Sequence, residues 1–111
     1  MKIELKIKPI SINAAYQGRR FKTQECKEYE KQLCLLLPFS KSTMTGEIEI
    51  YFTFYLKNYK KTDISNLVKV TEDILVKRGY FEDDRKIKKM HLEKIESEED
   101  KIVVILNKLK I

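Results

Sequence analysis

Acidic side chains are concentrated between residues 63 and 84 of a chain that is otherwise basic. Mg²⁺ prefers carboxylates, water and substrate phosphate oxygens as ligands, and it needs no soft donor. An ion held in this way would activate water and neutralise the charge that develops during phosphodiester cleavage. The carboxylates that could hold it are Asp63, Asp84, and Glu72 or Asp73. The stretch therefore predicts a Mg²⁺ site that acts on a phosphodiester.

Lys69 adds a cation to this acidic set. Its ammonium group could hold the scissile phosphate or stabilise the leaving oxygen. Alternatively, it pairs along its own helix with Asp73 or Ser65. Asp63 also has two interpretations, because a carboxylate just before a helix commonly caps free N–H groups. The chemical and the structural interpretations of both residues stay open at this point.

One helix is expected to present these groups. Its apolar stripe, which should face the core, consists of Ile64, Leu67, Val68, Thr71, Ile74 and Leu75. Its polar face consists of Ser65, Asn66, Lys69, Glu72 and Asp73. Gly79 ends the helix, so the chain can fold back and bring Asp83 and Asp84 near the first helical turn. Taken alone, that acidic pair is a simple turn.

The other patterns predict a single α+β domain over residues 1–111, with a mixed sheet of about four strands and two main helices. The strands are expected at residues 2–8, 47–56, 86–95 and 101–109. The second has the clearest period-two alternation. The last two are expected to form a hairpin. The fourth is apolar on both faces, which favours a central position in the sheet.

A second helix is expected in the first half of the chain. Residues 9–23 are predicted as a polar loop, and Thr23 can cap the helix that follows and continues until Pro38. Leu33 and Leu35–Leu37 give this helix more apolar surface than one face needs. The excess predicts either a dimer interface or burial in the core.

The composition narrows the class of partner. The 23 basic and 17 acidic residues give a formal charge of +6, which favours nucleic acid or an anionic membrane surface. No run of 18 apolar residues occurs, and the first residues alternate apolar and charged types, so we expect a soluble cytoplasmic protein. Cys26, Cys34 and His91 are too few and too widely spaced for a zinc site.

The acidic stretch also carries a family resemblance. The matching residues are Asp63, Asn66, Lys69, Asp73, Gly79, Asp83, Asp84 and Ile87, with Lys8–Asn13 and Gly18–Phe21 in the early loop. Their spacing is similar to the signature of the RusA family of Holliday junction resolvases. These are phage and prophage endonucleases that cut four-way DNA junctions. The resemblance spans nearly the whole chain.

The resemblance implies a RusA-like fold and a Mg²⁺-dependent homodimer, with Mn²⁺ as an alternative ion. Two active sites would nick opposing strands of branched DNA symmetrically, in a bacterial host cell and without a membrane partner. The site residues that it implies by position are Asp63, Lys69 and Asp84 as catalytic groups, Asp63, Asp83 and Asp84 as metal ligands, and Asn66 and Asp73 as supporting residues.

Ser65 departs from the family pattern, because many members carry a further essential aspartate at this position. Glu72 lies seven residues later, about 20° away around an ideal helix. Its carboxylate could reach the space that the missing aspartate would fill. We therefore include Glu72 among the expected metal ligands as compensation for Ser65.

Basic residues flank the predicted site in sequence and are expected to contact DNA phosphates. They are Arg19, Arg20, Lys22, Lys57, Lys60, Lys61 and Arg85. Tyr16 and Phe21 could stack on bases, or could pack in the core or a dimer contact. The alternatives to a junction resolvase are a nuclease that prefers flaps or forks and a non-catalytic module that binds junction DNA.

Overall fold

The computed structural model describes residues 1–17 and 21–109 and has an α+β fold. Its strands and α-helices are β1 (Lys2–Leu5), α1 (Ile12–Ala15), β2 (Tyr16–Gln17), β3 (Phe21–Lys22), α2 (Gln24–Leu36), β4 (Ile48–Leu56), α3 (Lys69–Lys77), β5 (Ile87–Glu96) and β6 (Lys101–Lys108). Short 3₁₀ helices span Tyr59–Lys61, Ile64–Leu67 and Asp84–Lys86. Among the described residues, no helix is long and apolar enough to cross a membrane.

The main sheet has four strands in the order β1-β6-β4-β5. β6 is antiparallel to both of its neighbours, whereas β4 and β5 are parallel and are connected through α3. The predicted central position of β6 is confirmed. The predicted hairpin between β5 and β6 is wrong, because β4 lies between them. The connecting loop passes the end of β4, where Ser97 N donates to Leu56 O at 3.0 Å and Lys57 N donates to Asp100 Oδ1 at 3.0 Å.

The core lies on one face of this sheet. Alternate residues of β4 are buried, as the sequence pattern predicts: Ile48, Ile50, Phe52, Phe54 and Leu56. Ile102, Val104 and Leu106 of β6 and Leu5 of β1 extend the same apolar layer. Leu33 of α2 and Ile74 and Leu75 of α3 are also buried in it. The two main helices are therefore fixed to the sheet by burial of apolar surface.

Helix α2 begins and ends where the sequence predicts. Thr23 Oγ1 accepts a hydrogen bond from Cys26 N at 3.1 Å, which is an N-cap, and the helix ends before Pro38. Leu33 and Leu37 are buried, but Leu35 is 82% exposed and Leu36 is 46% exposed. The apolar excess of this helix is thus divided between the core and the surface.

The segment predicted as a polar loop contains regular structure. The short helix α1 is capped by Ser11, and β2 and β3 form a two-residue antiparallel ribbon. Thr23 connects this segment to α2, because its Oγ1 also donates to Ala14 O at 2.6 Å. Local hydrogen bonds of Ser11 and Thr23 stabilise this segment, whose elements are too short for a periodic pattern to reveal.

A buried hydrogen bond joins α2 to α3. The hydroxyls of Tyr29 and Thr71 lie 2.8 Å apart, and burial raises the pKa of Tyr29 to about 12. We expect Tyr29→Phe to lower the free energy of unfolding by about 1–2 kcal/mol, because Thr71 loses its buried partner. Urea denaturation measures this change. Tyr55→Phe, on a half-exposed ring of β4, should cost less than about 0.5 kcal/mol. An equal loss in both variants would contradict the prediction.

Candidate metal centre

The segment before α3 is not part of that helix. A continuous helix from Ile64 is predicted, but the structure has a 3₁₀ turn over Ile64–Leu67 and an α-helix only from Lys69. Asp63 Oδ1 accepts hydrogen bonds from Ser65 N at 3.2 Å and from Ser65 Oγ at 2.9 Å. These side-chain hydrogen bonds compete with the backbone hydrogen bonds of a regular α-helix. Ser65 therefore lies outside the helix that carries Lys69, and the predicted shared polar face does not extend back to it.

Gly79 turns the chain after α3. Its φ of +79° lies in the left-handed region, where a side chain would be strained. Gly79 N donates to Val76 O at 2.9 Å, and Tyr80 N donates to Leu75 O at 3.0 Å. Tyr80 and Phe81 are then buried, which directs the following residues back along α3. The chain reversal predicted at Gly79 thus brings Asp84 back to the first turn of α3.

Lys69 lies at the centre of three carboxylates. Its Nζ atom is 2.9 Å from Asp84 Oδ2, 3.2 Å from Asp73 Oδ1 and 3.8 Å from Glu72 Oε2. One oxygen from each of these carboxylates lies within 4.8 Å of the other two. We call Glu72, Asp73 and Asp84 the acidic cluster. Because it offers three hard oxygen ligands from two chain segments, its chemistry fits a divalent ion such as Mg²⁺.

The pKa values of Glu72 and Lys69 are both raised, for different reasons. Glu72 is only 8% exposed, and its burial raises the pKa of its carboxyl group although Lys69 opposes the shift. The hydrogen bond to Asp84 is the main reason why the pKa of Lys69 is raised. The ammonium group thus occupies the space where the carboxylates converge. The predicted pairing of Lys69 with Asp73 along the helix is confirmed, and the same ammonium group lies beside the candidate metal ligands.

Asp63 and Asn66 face a different space. They line a cavity of about 480 Å³ together with residues from the N-terminal segment and α2. Asp63 does not belong to the acidic cluster. The carboxylate caps its 3₁₀ turn through Oδ1, and Oδ2 takes part in neither bond with Ser65. Of the expected metal ligands, Glu72 and Asp84 therefore lie in the acidic cluster, whereas Asp63 lies apart from it at the cavity wall.

Asp83 also lies outside the acidic cluster. Its Oδ1 accepts from Arg85 N at 2.9 Å, which caps the 3₁₀ helix Asp84–Lys86, and its Oδ2 accepts from Arg85 Nη2 at 3.2 Å. These bonds to Arg85 hold the pKa of Asp83 well below its usual range. Asp83 thus fixes the local turn that carries Asp84. Asp73 is in the cluster together with Glu72, whereas the residue types suggested one or the other as a ligand and the family resemblance implied only a supporting role for Asp73.

The predicted DNA contacts lie in different environments. Lys57, Lys60 and Lys61 are exposed in the segment that leads to Asp63. Lys22 pairs with Glu30 at 2.8 Å, so its charge is partly neutralised within the protein. Arg85 pairs with Asp83, and Phe21 is 73% exposed. The predicted contacts Arg19 and Arg20 lie outside the described residues.

The cavity does not follow from any pattern in the sequence. Its walls come from residues 8–14, from α2 and from the 3₁₀ segments before α3, which are far apart in the sequence. In the sequence, Glu28 and Gln32 have the pattern of ordinary surface positions on an amphipathic helix. Only the fold shows that they line the cavity. The only signal was the run Lys8–Asn13, of which every residue except Ile12 lines the cavity.

Comparison with known proteins identifies a family. The model of the endodeoxyribonuclease RusA family matches residues 8–107 of the chain. The match therefore includes the cavity, the acidic cluster and almost all of β6. No curated protein matches the sequence.

Proposed function

The chain belongs to the RusA endodeoxyribonuclease family, and from this we propose that it resolves four-way DNA junctions by paired symmetric nicks that require Mg²⁺. The family supports the class of substrate. The acidic cluster supports the chemistry, because Glu72, Asp73 and Asp84 converge on one point beside Lys69. The excess of positive charge supports binding to a polyanion.

We propose that Glu72, Asp73 and Asp84 hold the ion. When bound, Mg²⁺ would supply an activated water and neutralise charge at the scissile phosphate. Lys69, released from the carboxylates, would then contact a phosphate oxygen or the leaving oxygen. Asp63 is proposed as a further ligand through Oδ2, with Ser65 holding the other carboxylate oxygen in place.

The homodimer is part of this proposal, since two opposing strands must be cut symmetrically. Exposed apolar side chains offer surface for such a contact. Leu35, Leu36 and Phe39 are all large and exposed near the end of α2. An apolar surface of this kind is often covered in an oligomer. The exposed lysines before Asp63 would bind phosphates of the junction arms.

A cleavage assay tests the proposal. We expect end-labelled four-way junction DNA to be nicked in pairs at symmetric positions with Mg²⁺ or Mn²⁺, and not with EDTA. Linear duplex DNA of the same sequence should stay intact. If the protein acts as a dimer, both strands of a junction should be cut before the protein dissociates from that DNA molecule. Cleavage of flaps and forks in preference to junctions, or junction binding without cleavage under any metal, would overturn the proposal.

Glu72→Gln tests the proposed role of Glu72 as a metal ligand. The substitution removes the charge of a nearly buried ligand and keeps its shape, so we expect cleavage to fall about 10- to 100-fold. Initial rates at several Mg²⁺ concentrations measure the effect, and higher Mg²⁺ should partly restore the rate. The matched control is Glu98→Gln, which changes an exposed glutamate in the loop between β5 and β6. Unchanged cleavage by Glu72→Gln would show that Glu72 is not a ligand.

A further inference from the structure

The cavity beside Asp63 has the size of a ligand pocket. Its volume of about 480 Å³ lies within the range of about 300–1,000 Å³ that is typical of small-molecule sites. One wall is the segment before α3, which carries Asp63 and Asn66. The other walls come from the N-terminal segment and from α2. A group that enters this cavity would therefore lie next to a residue of the proposed active site.

The chemistry of the walls favours a flat, neutral group. Ile10, Ala14 and Leu67 supply apolar surface. The carboxamides of Asn13, Gln32 and Asn66 each offer donors and an acceptor. Most of the other lining residues are polar or charged, so the apolar patch is bordered by groups that can orient a ligand through hydrogen bonds. Side-chain carboxamides are also the groups that pair with the hydrogen-bonding edge of a nucleobase.

The charges in the cavity argue against a phosphate as its occupant. Glu25, Glu28 and Asp63 place three carboxylates on the walls, against Lys8 and Lys61. A phosphate would be repelled by this excess of negative charge. A base carries no net charge, and its amino groups could donate to these carboxylates. The two lysines would instead suit the phosphates on either side of such a base.

We propose that this cavity receives one nucleobase that leaves the stack next to the scissile phosphate. The proposal rests on the proposed function, since it requires branched DNA at the acidic cluster and Asp63. Extrusion of a base costs unstacking energy, and this cost is lower where the continuous stack of the duplex is interrupted, as at the crossover of a four-way junction. The cavity would then favour junctions over duplex DNA, because intact duplex offers no displaced base.

Fluorescence of 2-aminopurine tests the proposal. The cleavage site is first mapped with Mg²⁺, and the probe is then placed in turn at each nucleotide flanking it. Binding is measured with Ca²⁺ in place of Mg²⁺, so that the DNA stays intact. We expect the fluorescence to rise severalfold at one position of the junction, because an unstacked base is less quenched. The same probe in linear duplex should not respond.

Variants of α2 connect the signal to the cavity. Gln32→Ala removes a cavity carboxamide, whereas Gln24→Ala removes the same group from an exposed position of α2 that does not line the cavity. We expect Gln32→Ala to reduce the fluorescence rise and to slow cleavage about tenfold, which is typical for loss of one side-chain contact to a base edge. Its affinity for the junction should stay within about twofold of the parent, because phosphate contacts dominate affinity. Gln24→Ala should match the parent.

Failure of this inference is distinguishable from failure of the proposed function. If the parent cuts junctions but the probe stays dark at every position, or if Gln32→Ala behaves like Gln24→Ala, the cavity does not hold a base. The resolvase proposal would survive either result. If the parent neither binds nor cuts junctions, both proposals are overturned.

Discussion

Asp84→Asn should reduce Mg²⁺-dependent cleavage of a four-way junction by at least about 10³-fold, because a metal ion contributes several kcal/mol to charge stabilisation. Asp84 is the only member of the acidic cluster that does not come from α3, and it lies closest to Lys69, at 2.9 Å. Asparagine keeps the shape and loses the charge. The ion would then lack its ligand from the second chain segment, while α3 and its packing stay unchanged.

The control for this variant is Asp100→Asn. Asp100 lies in the loop after β5, where Oδ1 accepts from Lys57 N at 3.0 Å, and an asparagine oxygen can accept the same bond. Cleavage by this control should stay within about twofold of the parent, as expected for a surface change with small effects. Asp84→Asn should still bind the junction in a gel-shift assay. Near-normal cleavage by Asp84→Asn would rule out the acidic cluster as the metal site.

Lys69→Met should have two opposite effects, namely loss of cleavage and tighter binding of metal. Lys69 is 45% exposed on its side chain and forms three ion pairs with the acidic cluster, each worth about 0.2–1 kcal/mol at a partly exposed site. A divalent ion must displace the ammonium group to reach the same oxygens. Without this competitor, the affinity for Mn²⁺ should rise about tenfold, which corresponds to about 1.4 kcal/mol.

Isothermal titration calorimetry with Mn²⁺, in the absence of DNA, measures this affinity independently of catalysis. The control is Lys77→Met, which removes a lysine from the same helix but one that pairs with Glu30 instead. Its metal affinity should equal that of the parent. Cleavage by Lys69→Met should fall by about 10²-fold or more, as for the loss of a group that stabilises the transition state. Weaker or unchanged Mn²⁺ binding would show that Lys69 does not compete for the site.

The strongest sequence patterns predicted the elements that carry this site. The period-two alternation of β4, the Thr23 cap of α2 and the turn at Gly79 are local signals, and each is confirmed. The pairing of strands is not local. Residues 97–100 are short enough for a hairpin, but the apolar pattern of β5 and β6 does not say that β4 inserts between them. The apolar residues on both faces of β6 gave the only hint.

The arrangement of the site was predictable only in part. The return of Asp84 to Lys69 follows from the glycine turn and from the buried pair Tyr80 and Phe81. The position of the Asp63 side chain could not be predicted from the sequence. It depends on the 3₁₀ turn, in which Asp63 accepts two hydrogen bonds from Ser65. A helical wheel assumes α-helical rotation per residue, and that assumption fails in this turn.

The strand order also decides when the fold can form during synthesis. β6 is made last of the four strands, yet it lies between β1 and β4. In β1, Lys2 is opposite Ile105, so the first strand must wait about a hundred residues for its partner. Before that point, β4 lacks its antiparallel neighbour, and β1 lacks the one strand that it pairs with among the described residues. Burial of the core therefore follows synthesis of the last strand, and pairings of such long range make folding slow.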